Sequence, residues 1–307
     1  MAKNDRSLNI PGVTTILLVN FGGPRTLDEV PPFLKNMMGR SMPEKAVEAV
    51  VERYRAIGGG SPLASITEQQ AGLLTEETAG RFAIRGAFRY TSPSLEERIN
   101  ECHKAGVERI VFFVMSPYDA SRTTGGYVSA VEAHLARLPY RPKILFIHGW
   151  HSEPQFIECW AARIRGNAAK KGAFYIFSAH SLPASLKGEP YMGQVEETAR
   201  AIAEKLDILD DYAVAWQSVP QNAVEPWMDP SVEATMDSLT GKVSSLVEIP
   251  VGFVSDHLET LYDMDLVHRA YAEARGFQFS RIPSLNTYPP FIGALKTILE
   301  KHLEAEK

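Results

Sequence analysis

Short apolar runs with the length of buried strands alternate with amphipathic helical segments along the whole chain. The runs Thr14–Asn20, Arg109–Met115 and Ala173–Phe177 each end in a polar turn, after which a segment with helical spacing follows. Strands that alternate with helices predict βαβ units and mostly parallel sheets. We therefore expect an α/β fold of two similar doubly wound domains, with a cleft between them.

The pattern restarts after a short junction rich in proline. Residues Pro139–Pro142 read PYRP, and a strand-like run begins directly after them. The length of 307 residues fits two domains of about 150 residues each. We predict a first domain over residues 1–142 and a second over residues 143–307, with a terminal helix that can pack back on the first.

A histidine stands where a strand of the second half ends. The run Ala173–Phe177 is followed at once by the polar segment SAHS at 178–181, which contains His180. Ligands of open α/β sheets bind beyond the carboxyl ends of the strands. His180 is therefore a candidate site residue, although a structural histidine remains the alternative when it is taken alone.

A second strand end is acidic. The strand-like run Val247–Val254 leads into the sequence SDHLE and then into residues with helical spacing. A helix that begins near Asp256 places Glu259 and Asp263 four residues apart on one face. An imidazole near such carboxylates suits a divalent metal ion or a proton relay. A charged helix N-terminus is the alternative, because the helix dipole favours acids there.

The composition narrows the range of partners. The net formal charge is −5 and the isoelectric point is about 5.9, which gives no electrostatic case for nucleic acid. No apolar run reaches the ~18 residues of a membrane span. The polar start MAKNDRSLNIPG lacks the apolar core of a signal peptide. We expect a cytoplasmic monomer whose contact with membranes, if any, is peripheral.

The chain lacks the residues or motifs that several common types of catalytic and binding site require. The two cysteines, Cys102 and Cys159, are too few for a cysteine-ligated zinc site or an iron–sulfur cluster. The chain contains no GxxxxGK[ST] loop, no GxGxxG after a strand and no GxSxG elbow. The candidate groups that remain are imidazole, carboxylates and aromatic rings at strand ends.

Taken together, the motifs resemble the ferrochelatase family over nearly the whole chain and in the family's order. They are LLVNFGGP at 17–24, RYRAIGGGSPL at 53–63, ITEQQ at 66–70, FSAHSLP at 177–183, AWQS at 215–218, GFVSDHLETLYDMD at 252–265 and SLNTYPPFIGAL at 284–295. The resemblance implies two Rossmann-like domains around a porphyrin cleft. It also implies a lyase that inserts Fe²⁺ into protoporphyrin IX or coproporphyrin III in haem biosynthesis, with no cofactor beyond its substrates.

The resemblance assigns roles to the residues of the two strand ends. It implies that His180 and Glu259 are the metal-binding and proton-accepting pair and that they face each other across the porphyrin. His180 would accept pyrrole protons as neutral imidazole, and Glu259 would coordinate iron or relay protons. Asp263 would continue an acidic path to solvent, while Asp256 and His257 would orient the helix.

The resemblance also implies porphyrin contacts in both halves. Arginine pairs well with the carboxylate of a propionate, although a surface charge is the alternative reading for Arg53. A tryptophan of the core is the alternative for Trp227. The implied contacts are Phe21 over the macrocycle face, Arg53, Tyr54 and Ser61 around a propionate, Tyr127 in a polar loop and Trp227 on the cleft wall.

The sequence departs from some relatives at a few positions. Phe21 cannot ligate iron, and Met37 and Met38 stand where some relatives place an arginine that binds a propionate. Val267 interrupts the carboxylate series after Asp263, and the adjacent His268 has a different phase on a regular helix. Two rival functions stay open: a class II chelatase that inserts Co²⁺ or Ni²⁺ into another tetrapyrrole, and a non-catalytic haem or metal carrier.

Overall fold

Two parallel sheets of four strands each form the framework. The computed structural model describes residues 14–168, 172–220 and 223–306, and the strands lie within these ranges. The first sheet has the order β2-β1-β3-β4 and the second the order β6-β5-β7-β8. The strands are β1 (Thr15–Asn20), β2 (Ala83–Phe88), β3 (Arg109–Val114), β4 (Lys143–Ile147), β5 (Phe174–His180), β6 (Tyr212–Gln217), β7 (Ser245–Ile249) and β8 (Gln278–Arg281).

Helices connect these strands and cover the sheets, which confirms the predicted α/β class. They are α1 (Val30–Met38), α2 (Glu44–Ala56), α3 (Leu63–Glu77), α4 (Leu95–Lys104), α5 (Gly126–Leu135), α6 (Pro154–Ala168), α7 (Pro190–Leu206), α8 (Val232–Leu239), α9 (Arg269–Glu273) and α10 (Pro289–Ala305). Two π-helical segments, Ser121–Gly125 and Glu259–His268, lead into α5 and α9. Within the described ranges, no helix combines the length and the apolar character needed to cross a membrane.

The two sheets repeat one topology, and this repetition places the candidate histidine. The first strand of each half, β1 or β5, lies inside its sheet between two parallel neighbours. Parallel strands covered on both faces read as apolar runs, as β1 does from Ile16 to Val19. We predicted that the strand of the second half ends at Phe177. It continues to His180, whose register partner on β6 is Gln217.

The strand that precedes the acidic segment is shorter than predicted. The apolar run to Val254 suggested one strand, but β7 ends at Ile249. Pro250 follows directly and has no N–H to donate to a neighbouring strand, so the ladder stops there. The next residues form a turn in which the N–H of Gly252 donates to the carbonyl of Ser178 (3.0 Å). This turn packs against the end of β5.

The two halves of the chain are less separate than the predicted domain boundary at residues 142 and 143 implies. Lys143–Ile147 pairs in parallel with β3 and completes the first sheet, so placing this strand in the second domain is wrong. The PYRP segment only links α5 to that strand. The terminal helix α10 packs against α3 and α6. One apolar core therefore contains residues of both halves, such as Leu18, Phe177 and Leu295.

Gly252 tests how tightly the turn after β7 holds the strand that carries His180. A Cβ at residue 252 would lie 2.7 Å from Cα and 2.6 Å from Cβ of Ala179. We expect Gly252→Ala to lower the free energy of unfolding by about 1–3 kcal/mol, the usual cost of overpacking. The measurement is denaturant unfolding followed by circular dichroism.

Gly72 provides the matched control for this substitution. It lies in the exposed face of α3, and a Cβ there would meet no heavy atom within 4 Å. Gly72→Ala should leave stability unchanged or raise it by up to about 1 kcal/mol, since alanine favours the helix. Equal stability of Gly252→Ala and wild type would contradict the tight contact.

Candidate active site

His180 and Glu259 meet at the carboxyl end of the second sheet. Nε2 of His180 lies 3.4 Å from Oε1 of Glu259. The sequence predicted this pairing, but it placed the two groups on opposite sides of a porphyrin. A flat ring between them would need roughly twice the 3.5 Å van der Waals separation. The expectation of a gap is therefore wrong, because the two groups are in direct contact and form one side of a site.

The backbone around His180 fixes which ring nitrogen faces the site. Nδ1 donates to the carbonyl of Ser181, and the hydroxyl of Tyr191 donates to the carbonyl of His180 (3.0 Å). A nitrogen that donates to a carbonyl carries the ring proton in the neutral tautomer. Nε2 is therefore the nitrogen available to exchange a proton or bind a metal ion.

The contact controls the charge of both groups. Burial opposes the charged form of His180, but the Glu259 carboxylate and the carbonyl of Ser181 outweigh it and raise the pKa to about 9. Burial likewise opposes ionisation of Glu259, yet His180 and His257 hold its pKa well below the usual range. The substrate-free pair is thus an imidazolium and a carboxylate at neutral pH. The side chains are 33% and 27% exposed, so solutes can reach them.

His257 touches the same carboxylate. Its Nε2 lies 3.3 Å from Oε2 of Glu259, and its Nδ1 lies 3.2 Å from the carbonyl of Ser255. Its ring also packs on Phe253, with 4.6 Å between centroids. The prediction gave His257 a role in orienting the helix. The structure places it in direct contact with Glu259, so both oxygens of that carboxylate face a histidine.

Asp256 holds the start of the acidic segment in place. Its carboxylate accepts hydrogen bonds from Asn286 (2.7 Å), Ser284 (2.8 Å) and Arg281 (3.0 Å). Burial opposes the charge, but Arg281 and these hydrogen bonds lower the pKa of Asp256. From the first half, Gln70 donates to Ser255 Oγ (3.1 Å) and to the carbonyl of Asn286 (2.8 Å). The loop before Glu259 is therefore fixed by both halves.

The segment after Asp256 is a π-helix rather than the regular helix that we predicted. It spans Glu259–His268 and then continues as α9. Hydrogen bonds between residues five apart bring such residues onto one face. His268 thus shares a face with Asp263, whereas a regular helix separates them. His268 Nδ1 lies 3.0 Å from both carboxylate oxygens of the buried Glu248.

Asp263 connects the π-helix to both halves of the molecule. Its Oδ1 pairs with Nη2 of Arg53 on α2, and its Oδ2 accepts a hydrogen bond from Ser218 (2.6 Å) at the end of β6. The guanidinium of Arg53 also lies 4.8 Å from the centroid of the Tyr262 ring. The sequence assigned Arg53 to a propionate and Asp263 to an acidic path, and did not predict that they pair.

The first half contributes an exposed aromatic ring at the end of β1. Phe21 is 38% exposed, and its edge-on ring contacts are with Tyr90 (4.7 Å between centroids) and Phe33 (6.2 Å). This ring can face a planar ligand. Tyr54 and Ser61 are buried instead, and burial, together with Glu259, raises the pKa of the Tyr54 phenol.

The other two predicted contacts differ in their surroundings. Tyr127 is buried in the apolar core under α4 and α5, and burial raises its pKa. Trp227 is only partly buried, and its ring centroid lies 6.4 Å from that of His180. Its Nε1 has no hydrogen-bond partner among the described residues. Trp227 therefore borders the site, whereas Tyr127 belongs mainly to the core.

Some residues of the site were not predicted from the sequence. Ser218 ends the motif AWQS, so its place at a strand end was a usable signal, and its positive φ of 62° marks it as unusual for a residue other than glycine. Tyr262 lies inside the motif GFVSDHLETLYDMD at 252–265, which was a usable signal as well. Tyr191 carried no comparable signal, since it lies in none of the motifs. In the described part of the chain, no group of three or more His, Cys, Asp or Glu side chains is arranged to hold a metal ion.

Comparison with known proteins places this site in a family. The family model described as Ferrochelatase matches residues 13–303. The coproporphyrin III ferrochelatase of Anoxybacillus flavithermus is 34% identical over 310 residues, which cover 96% of this chain and 98% of the relative. The ferrochelatase of Geotalea uraniireducens is 31% identical over 322 residues, with 97% and 100% covered.

A solved structure supports the fold. The sirohydrochlorin chelatase from Bacillus subtilis subspecies spizizenii in complex with cobalt superposes with a TM-score of 0.58. It is 12% identical, and the alignment covers 96% of this chain and 97% of that one. At this identity the likeness concerns the fold alone. The family model and the two relatives together show that this chain belongs to the ferrochelatase family.

Proposed function

We propose that this protein inserts Fe²⁺ into a porphyrin in haem biosynthesis. The observation that carries the proposal is the contact between His180 Nε2 and Glu259 Oε1 at the carboxyl end of β5, where both side chains are partly exposed to solvent. Coproporphyrin III is the first porphyrin to test, because it appears in the names of several relatives, among them that of Anoxybacillus flavithermus. Protoporphyrin IX is the second.

The reaction exchanges two pyrrole protons for one Fe²⁺ ion. The substrate-free imidazolium cannot accept a proton, so it must first lose the one at Nε2 to solvent, which reaches the 33% exposed side chain. An approaching Fe²⁺ ion repels that positive charge and is attracted by Glu259, which favours neutral imidazole. His180 can then accept the pyrrole protons one after the other and release each to solvent, while Glu259 coordinates the iron; alternatively, Glu259 relays the second proton to solvent. Asp256 and His257 keep Glu259 in position.

The proposal requires no redox cofactor, because the iron is ferrous before and after insertion. Both cysteines are buried, and burial raises the pKa of the Cys102 and Cys159 thiols to about 12. Thiols in that state are poor metal ligands, since the thiolate is the ligating form. The cytoplasmic location stays a prediction. The monomeric state stays a prediction.

Substitution of the pair tests the proposed reaction. We expect His180→Ala and Glu259→Gln to lower the rate of metallation by about 10²–10⁴-fold, the usual range for general acid–base groups. The measurement is the absorption spectrum after anaerobic addition of Fe²⁺ with coproporphyrin III or protoporphyrin IX. His302→Ala on α10 is the control and should match wild type. Each variant is also checked for its unfolding midpoint.

The same assay separates the rival functions. Faster insertion of Co²⁺ or Ni²⁺ than of Fe²⁺, or turnover only with sirohydrochlorin, would favour the other chelatase class. Tight haem binding without any metallation would favour a carrier. In either case, the proposed ferrous iron reaction would be wrong.

The pKa of His180 provides a test that does not depend on activity. In the metal-free and porphyrin-free protein, we expect the ring to titrate near pH 9 by NMR. In Glu259→Gln the carboxylate is lost while burial, the Ser181 carbonyl and Asp263 remain, so the pKa should fall clearly below that of wild type. The His180→Ala spectrum identifies the signal.

The sign of the stability effect follows from these pKa directions. Because the folded pKa of His180 is raised, its contribution to stability is complete below pH 6.5 and disappears as the pH rises through about 9. The stability difference between wild type and Glu259→Gln should therefore shrink above pH 9. A His180 titration near 6.5 in both proteins would contradict the coupling.

A further inference from the structure

We propose that Asp263 competes with the porphyrin for Arg53. In the substrate-free protein, Asp263 pairs with the guanidinium of Arg53. When the porphyrin binds, one of its carboxylates replaces Asp263 as the partner of Arg53. The Arg53–Asp263 pair forms again when the product dissociates. This inference rests on the proposed function, since it requires a porphyrin with carboxylate side chains. It assigns Asp263 a role in setting how tightly the porphyrin binds and how fast it leaves.

The first support is that the ion pair joins the two halves next to the metallation pair. Arg53 belongs to α2 of the first half, and Asp263 belongs to the π-helix that begins at Glu259. Asp263 is close enough to His180 for its charge to stabilise the imidazolium. A porphyrin that reaches His180 therefore passes near the Arg53–Asp263 pair.

The second support is that the ion pair engages only one oxygen of Asp263 and leaves a donor of Arg53 without an acceptor. Oδ1 of Asp263 faces Nη2 of Arg53, whereas Oδ2 is held by the hydroxyl of Ser218 at 2.6 Å. Asp263 thus offers one oxygen to the guanidinium. The Nε atom of Arg53 is buried and has no hydrogen-bond partner among the described residues.

The unpaired Nε donor of Arg53 indicates that a hydrogen-bond acceptor is missing from the substrate-free site. A guanidinium binds carboxylate best through two parallel N–H···O bonds, and a buried donor without an acceptor is unfavourable. A propionate can bring one oxygen to Nε and the other to an Nη atom. It can therefore replace the single-oxygen contact of Asp263 with a two-oxygen contact. The Tyr262 ring, whose centroid lies 4.8 Å from the guanidinium carbon, offers the cation a further attractive contact.

Ser218 makes the exchange reversible. When Arg53 turns to a propionate, Asp263 keeps its bond to Ser218 and remains ready to pair again. The left-handed backbone of Ser218, with φ 62°, is unfavourable for a residue other than glycine. Its hydroxyl also accepts a hydrogen bond from Nε2 of Gln217 (3.4 Å). Because differences in affinity between related complexes lie mostly in dissociation, the competition should act chiefly on the release of porphyrin.

The experiment measures porphyrin binding without metal. Coproporphyrin III is titrated into the full chain in the presence of a chelator, with its absorption shift as readout, and its dissociation is followed by stopped flow. We expect Asp263→Asn to bind it more tightly and release it more slowly, each on the order of fivefold, as loss of a partly exposed ion pair implies. Arg53→Gln should bind more weakly. In the double variant, Asp263→Asn should have no further effect.

Two more arms make the result specific. Coproporphyrin tetramethyl ester has no carboxylate, so Asp263→Asn should not change its affinity. Ser218→Ala frees Oδ2 of Asp263 to pair with Arg53. It should therefore weaken the binding of coproporphyrin III, which is the opposite of the effect expected for Asp263→Asn. Asp265→Asn is the matched control, because Asp265 lies on the same π-helix but pairs with Arg281 (2.7 and 2.8 Å). It should bind coproporphyrin III as wild type does.

The outcomes separate this inference from the proposed function. Weaker or unchanged binding by Asp263→Asn would overturn the competition while leaving the ferrochelatase assignment intact. Equal tightening by Asp265→Asn would also overturn it, since the effect would then be one of general charge. If wild type binds no porphyrin at all, the proposed function itself fails and the inference fails with it.

Discussion

A single contact between an imidazole and a carboxylate organises the candidate site. Neither group would be charged so readily alone, because burial disfavours the imidazolium of His180 and the carboxylate of Glu259 alike. Together they stabilise each other's charge. The substrate-free site therefore holds a proton at Nε2 that a divalent cation can displace, which suits a reaction that exchanges protons for a metal ion.

The surrounding structure serves to keep that contact in place. His180 ends a strand inside a parallel sheet, and the carbonyl of Ser181 fixes its tautomer. Glu259 begins a π-helix whose entrance is held by the Asp256 network and by Gln70 from the other half. Rigid elements on both sides thus set a distance that a loop could not hold as closely.

The two halves act as one unit at this site. Their shared apolar core and the packing of α10 on α3 leave little freedom for them to move as separate domains. Exchange of partners at Arg53 would then open the site by moving side chains rather than domains. This arrangement allows a rigid metallation pair and an adjustable carboxylate contact to lie side by side.

The sequence by itself determined the alternation of strands and helices, the α/β class, and the two segments that carry His180 and Glu259. These follow from local periodicity and from motifs, and both are encoded over a few neighbouring residues. Tertiary structure alone decided that the pair is in contact, that β4 completes the first sheet, and that Arg53 meets Asp263. Tertiary structure also decided that residues Glu259–His268 form a π-helix, which places His268 on the same face as Asp263. Such features depend on residues far apart in the chain and on packing across two halves, and no local pattern reports those distances.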